Sequence, residues 1–225
     1  MASSWLLWPY VEADGQTHMA LDRELLARHL TGELPPMVRF YRWQPAAISV
    51  GYHQKDDFAI GPPLGLEVVR RPTGGRAVLH QGDLTYMVIC SGLQGTVEHT
   101  YQQLSAFLIK GMARLGVPIE FGSQGRGYIG KTSCFGTATR GDLVWQGQKL
   151  IGSAQLRRGR GILQHGSILL NPDRSLMEQV FGTVDPVIGL HEIQPVPIET
   201  ICEALIAALE ECFEVSVSPY DARSH

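Results

Sequence analysis

The sequence has little excess charge of either sign and no long apolar run. Its 19 Lys and Arg residues nearly balance 22 Asp and Glu residues, for a formal net charge of -3 at pH 7. A protein that binds nucleic acid through phosphates needs a basic surface, so we expect no nucleic-acid partner. A membrane-spanning helix needs ~20 consecutive apolar residues, and no run approaches that length. The N-terminal stretch MASSWLLWPYVEADGQ lacks the basic region of a secretory signal, so we expect neither export nor a membrane partner.

Cysteine is scarce, and its placement matches no disulfide or zinc pattern. The 4 cysteines in 225 residues include no C-x-x-C pair and no cluster with histidine. Disulfide frameworks and zinc sites need more regular spacing. We therefore expect no metal site, and a reducing, cytoplasmic compartment in which a thiol stays available for chemistry.

The patterns that are present predict one α/β (α+β) domain over residues 1–225, with a central mixed or antiparallel sheet flanked by helices. A chain of this length fits a single core. Apolar residues at helical spacing predict helices at 17–30, with Thr17 as cap, near 97–115 and at 197–214. Runs of β-branched and aromatic residues predict strands at 37–51 (split at Pro45), 66–71, 76–80, 84–90, 117–121 and 161–170. A hairpin at Gly147 is expected to join DLVWQ to KLIGSAQLRR.

The segment GRGYIGKTSCFG, residues 125–136, allows two interpretations. Residues 125–132 satisfy the phosphate-loop pattern G-x-x-x-x-G-K-[ST], and Cys134 follows in a polar stretch. A phosphate loop runs into a helix whose N-terminus helps to hold the phosphates, but here SCFGTATRGD follows, with two glycines and no apolar stripe. No apolar strand ending in Asp follows to hold magnesium. The sequence therefore favours a loop that presents a thiol, with Lys131 as its charged neighbour.

Local context separates Cys134 from the other cysteines. Cys202 and Cys212 lie on the apolar stripe of the last predicted helix, and Cys90 ends an apolar strand, so core positions are expected for all three. Nearby cations lower the pKa of a thiol from its ordinary value of about 8.5. Three such residues lie near Cys134 in the sequence: Arg126, Lys131 and Arg140. On context alone, a single loop cysteine is more often incidental than catalytic, so the assignment needs a partner residue.

Four motifs together resemble the biotin/lipoate A/B protein ligase family. They are RRPTGGRAVLHQGDLTY (70–86), TSCF (132–135), GQKLIGSAQLR (147–157) and LQHGSILL (163–170). Within that family they are most similar to the cysteine-dependent octanoyltransferases, which move an octanoyl group from acyl carrier protein to a lipoyl domain. The resemblance runs from about residue 17 to about residue 213 and implies the fold of the family's catalytic domain over that core. The chain departs from the family at Gly141-Asp142, where relatives often have an aromatic and an acidic residue.

The resemblance implies a catalytic pair. The nucleophile of the family lies in its S-C-F motif, which gives Cys134, and its lysine lies in the G-x-K-[LIV]-x-G-[ST]-A-Q motif, which gives Lys149. Octanoyl-acyl carrier protein would acylate Cys134, and a lysine of a lipoyl domain would then take the octanoyl group as an amide. Lys149 would lower the pKa of the thiol and later assist the amine and polarise the carbonyl. The acceptor would be glycine cleavage H protein or a dehydrogenase E2 subunit, and no cofactor is implied.

The same motifs supply candidate substrate-binding residues. Backbone N–H groups of Gly74 and Gly75 would line the acyl-carbonyl site, unless the pair serves only a tight turn. The small residues 152–154 suit the wall of a narrow acyl tunnel. His80 and His165 would orient the carbonyl or neighbouring groups, and a purely structural role stays open for each. The full set is Arg71, Gly74, Gly75, Arg76, His80, Gly152, Ser153, Ala154, His165 and Gly166.

Three other functions stay open at this stage. An ATP-dependent lipoate–protein ligase of the same fold would use RRPTGGR as a nucleotide loop and would not need Cys134, although such ligases usually carry an added domain or partner chain. A lipoyl amidotransferase would move lipoyl groups between lipoyl domains through the same Cys and Lys. A non-catalytic module would only bind acyl carrier protein.

Overall fold

Eleven strands and five helices make up the part of the chain that the structure describes. The computed structural model describes residues 3–55, 65–122, 141–182 and 186–221. The strands are β1 (Ser3–Ala13), β2 (Met37–Trp43), β3 (Ala47–Val50), β4 (Glu67–Arg70), β5 (Val78–His80), β6 (Asp83–Ser91), β7 (Glu120–Phe121), β8 (Leu143–Trp145), β9 (Gln148–Arg158), β10 (Gly161–Leu169) and β11 (Val215–Pro219). The helices are α1 (Gly15–Leu30), α2 (Val97–Arg114), α3 (Arg174–Phe181), α4 (Leu190–Ile193) and α5 (Ile198–Phe213).

The strands form two sheets. The larger sheet has the order β11-β1-β2-β6-β10-β9-β8-β7, and the smaller has the order β4-β3-β5. β1 runs parallel to β2 and β11, whereas β2, β6, β10 and β9 pair antiparallel. The predicted α/β class, with a central mixed sheet flanked by helices, is confirmed. β5 and β6 flank the turn at 81–82 as expected, but they belong to different sheets.

The central strands are buried on both faces, and alternate residues face different layers. Phe40 of β2 and Tyr86 of β6 pack in one apolar cluster with α2 and α5. Tyr41 and Met87, one position further along, pack in another with α1. Strands covered on both faces become nearly continuous apolar runs, which is why LTYMVIC was recognisable in the sequence. Among the described residues, no helix is long and apolar enough to cross a membrane.

Two predicted element boundaries were wrong. α1 begins at Gly15, and its cap is Asp14, whose carboxylate accepts a hydrogen bond from Thr17 N–H at 2.7 Å. Thr17 was predicted as the cap, but an acidic residue three positions before a free N–H satisfies that donor better from outside the helix. The strand predicted at 117–121 is paired only at Glu120–Phe121.

The hairpin predicted at Gly147 is confirmed. Gln146 and Gly147 have φ values of 48° and 79°, as a two-residue turn between antiparallel strands requires. The predicted break at Pro45 is confirmed as well, because β2 and β3 flank it. The sequence patterns did not predict β1, β11, α3 or α4.

Candidate active site

A pocket lies between the two sheets, on the face of the larger sheet that α1 also covers. Its volume is about 530 Å³, part of it open to solvent. Most of the predicted site residues line it: Arg71, Gly75, His80, Lys149, Gly152, Ser153, Ala154, His165 and Gly166. The lining is completed by Met19, Tyr41, Trp43, Ser49, Val78, Thr85, Asp142 and Ser167. Three of the four sequence motifs therefore meet at one place.

The other predicted residues are placed differently. Gly74 and Arg76 are not among the lining residues. The carbonyl oxygen of each accepts a hydrogen bond from the Arg71 guanidinium. Cys134 lies outside the described residues, as do Lys131 and the pattern at 125–132. The pairing of Cys134 with Lys149 therefore stays a prediction.

Lys149 is buried in the pocket wall and forms an ion pair with Asp142. Lys149 Nζ lies 2.9 Å from Asp142 Oδ1, and the two side chains are 3% and 6% exposed. Asp142 directly precedes β8, and its carbonyl oxygen accepts a hydrogen bond from Gly122 N–H at 2.9 Å. Proteins retain charges at this depth when the charges are balanced. The ion pair therefore places a fixed positive charge in the wall of the pocket.

An irregularity in β9 brings Lys149 to this face. Val144 pairs with Lys149 but Leu143 pairs with Ile151, so β9 has an extra residue there. In a regular strand, residues three apart point to opposite faces, and a bulge interrupts that alternation. A Cβ on Gly152 would lie 2.8 Å from Lys149 Cε and 3.0 Å from its Nζ. The end of the lysine side chain therefore lies across Gly152, and a Cβ at that position would displace it.

His80 is held on all sides by polar and aromatic neighbours. Its Nδ1 lies 2.9 Å from Asp83 Oδ2 and its Nε2 lies 2.9 Å from Ser49 Oγ. A carboxylate only accepts, so Nδ1 donates to Asp83. The ring stacks on Trp43 with centroids 3.8 Å apart. Because both ring nitrogens are used, the geometry favours the structural role that the sequence left open for His80.

His165 is held between Thr73 and Asp22. Its Nδ1 lies 3.0 Å from Asp22 Oδ2 and its Nε2 lies 2.7 Å from Thr73 Oγ1. Burial lowers the pKa of His165 in spite of the hydrogen bond to Asp22. Burial raises the pKa of Asp22, but His165, Arg39 and Tyr41 outweigh it, so this pKa lies below its ordinary value. His165 is therefore a neutral donor to a buried carboxylate.

Arg71 fixes the loop that carries Gly74 and Gly75. Its guanidinium is buried and donates to the carbonyl oxygens of Gly74 at 2.7 Å and Arg76 at 2.6 Å. Gly75 has a φ of 89°, a conformation that favours glycine. A Cβ on Gly51 would lie 1.9 Å from the carbonyl oxygen of Gly75. The glycines thus let two loops touch beside the pocket, and Arg71 holds the loop in place.

The rest of the lining is divided between apolar and hydroxyl groups. Met19, Tyr41, Trp43, Val78 and Ala154 supply an apolar wall. The Ser153 hydroxyl lies 2.7 Å from Tyr86 Oη, and burial raises the pKa of that phenol to about 12. Among the described residues, no group of three or more His, Cys, Asp or Glu side chains is placed to hold a metal ion.

Sequence reasoning missed several residues that build the site. Asp22 lies on the buried face of α1, and Asp142 was noted only as a departure from the family. A signal for Asp142 was present, because the Gly147 hairpin brings the residues before β8 next to Lys149. A signal for Asp22 was also present: it lies three residues after Met19 and three before Leu25, on the apolar stripe.

Comparison with known proteins identifies relatives over most of the chain. Residues 14–210 match the family model of the lipoyl protein ligase A/B catalytic domain. Octanoyltransferase LipM of Symbiobacterium thermophilum is 41% identical over 191 residues, covering 79% of this chain and 69% of the relative. The protein of the same name from Geobacillus kaustophilus is 35% identical over 239 residues, covering 90% of this chain and 84% of the relative.

Solved structures with the same fold include two lipoate-protein ligases. One is lipoate-protein ligase A bound with ATP, which has a TM-score of 0.78 and covers 98% of this chain and 90% of that one. The other is a putative lipoate protein ligase from T. acidophilum with bound lipoic acid, also at a TM-score of 0.78, covering 98% of this chain and 89% of that one. Both are 22% identical in sequence to this chain, so they establish its fold alone.

Proposed function

The chain belongs to the lipoyl protein ligase A/B catalytic domain family, and on that premise we propose that it is an octanoyltransferase of lipoate biosynthesis. It would move an octanoyl group from acyl carrier protein to a lysine of a lipoyl domain. The observation that carries the proposal is the similarity, at 35% to 41% identity, to relatives named octanoyltransferase. The buried Lys149 in a pocket with one apolar wall supports it.

The proposed reaction has two half-reactions. The Cys134 thiolate attacks the carbonyl carbon of octanoyl-acyl carrier protein, and the bond from that carbon to the phosphopantetheine sulfur breaks. A lipoyl-domain lysine then attacks the octanoyl-Cys134 thioester, and the thiolate of Cys134 leaves as the amide forms. An amide is more stable than a thioester, which draws the sequence forward without ATP or another cofactor.

Lys149 supplies the charge that both half-reactions need. A cation beside a thiol lowers its pKa and so raises the thiolate fraction at neutral pH. The same cation stabilises the negative charge that develops on the carbonyl oxygen during each attack. In the second half-reaction, Lys149 would accept a proton from the incoming amine, having given its own proton to the departing phosphopantetheine thiolate in the first.

The pocket has an apolar wall and a polar wall, as an acyl group with an alkyl chain and a carbonyl requires. The wall formed by Met19, Tyr41, Trp43, Val78 and Ala154 accommodates an alkyl chain. Lys149 and the Gly75 loop would face the carbonyl end.

We propose that the catalytic domain extends over about residues 17–213 of 1–225. The proposed acceptor is a lipoyl domain such as glycine cleavage H protein or a dehydrogenase E2 subunit. We also propose that the protein works in the cytoplasm, where its thiol stays reduced.

Intact-mass spectrometry without ATP tests the proposal. Octanoyl-acyl carrier protein alone is expected to add one octanoyl group to the enzyme, and a lipoyl domain added later is expected to remove it and gain the same mass. Transfer that needs ATP and free octanoate would indicate a ligase instead. A lipoyl domain that serves as donor where acyl carrier protein does not would indicate an amidotransferase.

A further inference from the structure

The Asp142–Lys149 ion pair is buried more deeply than it would need to be if it only had to place a charge in the pocket wall. Both side chains are at least nine-tenths buried, and their charged atoms are 2.9 Å apart. Taking two charges out of water costs several kcal/mol for each ion before their attraction offsets it. A lysine that only needed to be near a substrate would reach it from the surface at lower cost. The buried position therefore points to a need for a fixed location.

The backbone on both sides of Lys149 is also held. Its N–H donates to Pro186 O at 3.0 Å, and its carbonyl oxygen accepts from Ile188 N–H at 3.0 Å. These bonds make a short parallel bridge between Lys149 and Val187. The start of the lysine side chain is thereby fixed by main-chain contacts, and its end is fixed by Asp142.

The end of the side chain lies against Gly152. Lys149 Cε would be 2.8 Å from a Cβ at that position, a distance that real Cβ atoms do not tolerate. The backbone bridge thus constrains the beginning of one flexible side chain, and the glycine and the carboxylate constrain its end. A free lysine side chain samples many rotamers, so holding it in one conformation needs contacts of this kind.

We propose that Asp142 is a positioning residue which, together with Gly152, holds the Lys149 ammonium at one point of the pocket wall. The inference rests on the proposed function for its catalytic consequence: the held cation is what promotes acyl loading at neutral pH. Other charged or titratable groups also line this pocket, namely Arg71, Tyr41, His80 and His165. They have their own hydrogen-bond partners and do not replace the Lys149 charge.

Loss of the Asp142 charge has a defined expected effect. A buried ammonium that loses a nearby carboxylate either releases its proton or turns toward solvent. Either change makes the Lys149 amine more reactive toward an acylating reagent and removes the cation from the wall. Asp142→Asn keeps the shape of the side chain, so the charge is what changes.

The first measurement does not depend on the enzymatic activity. Wild-type protein, Asp142→Asn and Gly152→Ala are labelled with a trace amount of acetic anhydride, and labelling at each lysine is read by peptide mass mapping. Labelling of Lys149 relative to the exposed Lys55 is expected to rise at least severalfold in both variants. The control Asp173→Asn changes a carboxylate that caps α3 and is expected to leave the ratio unchanged.

The second measurement is single-turnover acyl loading from octanoyl-acyl carrier protein between pH 6 and pH 9. At pH 7 both variants are expected to load about tenfold more slowly, equivalent to a shift of one pKa unit in the thiol. The deficit is expected to shrink as the pH rises, because the thiol then ionises without help. A variant damaged only in its fold would lose rate equally at every pH.

The outcomes separate the inference from the proposed function. Unchanged Lys149 labelling in Asp142→Asn and Gly152→Ala would overturn the positioning role, as would loading rates within twofold of wild type across the pH range. If wild-type protein does not load at all, the proposed function fails while labelling still decides whether Asp142 holds Lys149. If Asp142→Asn does not fold, Gly152→Ala decides, because it retains both charges.

Discussion

At the scale of single residues, the proposed chemistry needs a thiol with a low pKa, and the three thiols in the described part of the chain have raised pKa values. Burial raises the pKa of Cys90 and of Cys202 to about 12, and it also raises the pKa of Cys212. Cys90 is buried as expected, but Cys202 and Cys212 are only partly buried and pack at the margin of the core. None of these three thiols is set up to ionise at neutral pH.

Substitution of each cysteine is therefore expected to single out Cys134. Cys134→Ala should abolish acyl loading and transfer, because no other thiol is available as thiolate. Cys202→Ala and Cys212→Ala should keep the wild-type rate per folded molecule, and Cys90→Ala should lose stability but not turnover. Intact-mass loading assays with thermal melts of each variant make the comparison. Octanoyl loading of Cys134→Ala would refute the proposed nucleophile.

Buried histidines are expected to make the protein less stable in mild acid. His18 and His165 both have a pKa below 6.5, chiefly because burial disfavours the imidazolium form. The unfolded chain binds these protons near pH 6.5 and the folded chain only at lower pH, so the free energy of unfolding should fall as the pH drops from 7 to 5. Each histidine contributes a slope of up to about 1.4 kcal/mol per pH unit.

Urea denaturation at several pH values checks this slope. His18→Gln should flatten it by the share of one histidine, even if the variant is less stable overall. The lowered pKa of Asp22 acts in a separate window: its contribution is lost only as the pH falls below about 4, the ordinary value for Asp. A stability that does not change between pH 7 and pH 5 would contradict the expectation.

At the scale of elements, the contact between α2 and α5 depends on one glycine. A Cβ on Gly111 would lie 2.6 Å from Leu205 Cδ2 and 3.2 Å from Leu205 Cα. Replacement of glycine by alanine inside a helix stabilises the helix by about 1 kcal/mol. Overpacking a helix contact costs about 1 to 3 kcal/mol, and here the backbone of α5 would have to move. The cost is therefore larger than the gain.

Gly111→Ala is thus expected to lower the free energy of unfolding by about 1 kcal/mol, although alanine is the better helix former. Chemical denaturation measures the change. A double variant with Leu205→Ala removes the obstructing side chain and should show that Gly111→Ala then costs less than in the wild-type background. A stabilised Gly111→Ala protein would mean that the two helices have room to separate.

Prediction from the sequence succeeded for elements whose signal is local. β6 and β10 are buried on both faces, so their apolar runs identify them, and the Gly147 turn carries its own signature. β1 and β11 were missed because each owes its conformation to parallel pairing with distant residues, such as Ser3 with Val215. The Asp14 cap was missed because Thr17 satisfies the same local rule.

Residues of a contiguous motif could be expected from the sequence to lie together, whatever their function. Lys149, Gly152 and Ala154 were named from one stretch and line one pocket. Asp142 and Asp22 were not named, because the value of a carboxylate depends on what surrounds it after folding. The bulge that turns Lys149 toward Gly152 could not be predicted either, because the alternation of residues between two faces holds only for a regular strand.

At the scale of the whole molecule, the fold is shared with a ligase structure that holds ATP. The fold by itself therefore does not decide whether this chain binds ATP. We expect calorimetry with ATP and magnesium to show no saturable binding that Lys131→Ala removes. The reason is the sequence after residue 132, whose two glycines and lack of an apolar stripe do not favour the helix that a phosphate loop requires. A micromolar signal that depends on Lys131 would restore the nucleotide-binding interpretation of 125–132.

The pairing of β1 with β11 has a consequence for how the polypeptide is made. Residues 3–7 at the start of the described chain pair with residues 215–219 near its end. During synthesis the outer edge of β1 therefore waits, with its main-chain groups unpaired, until residues 215–219 have left the ribosome. An open strand edge recruits strands from neighbouring molecules. A nascent or prematurely terminated chain that lacks β11 is accordingly more exposed to aggregation than the folded protein.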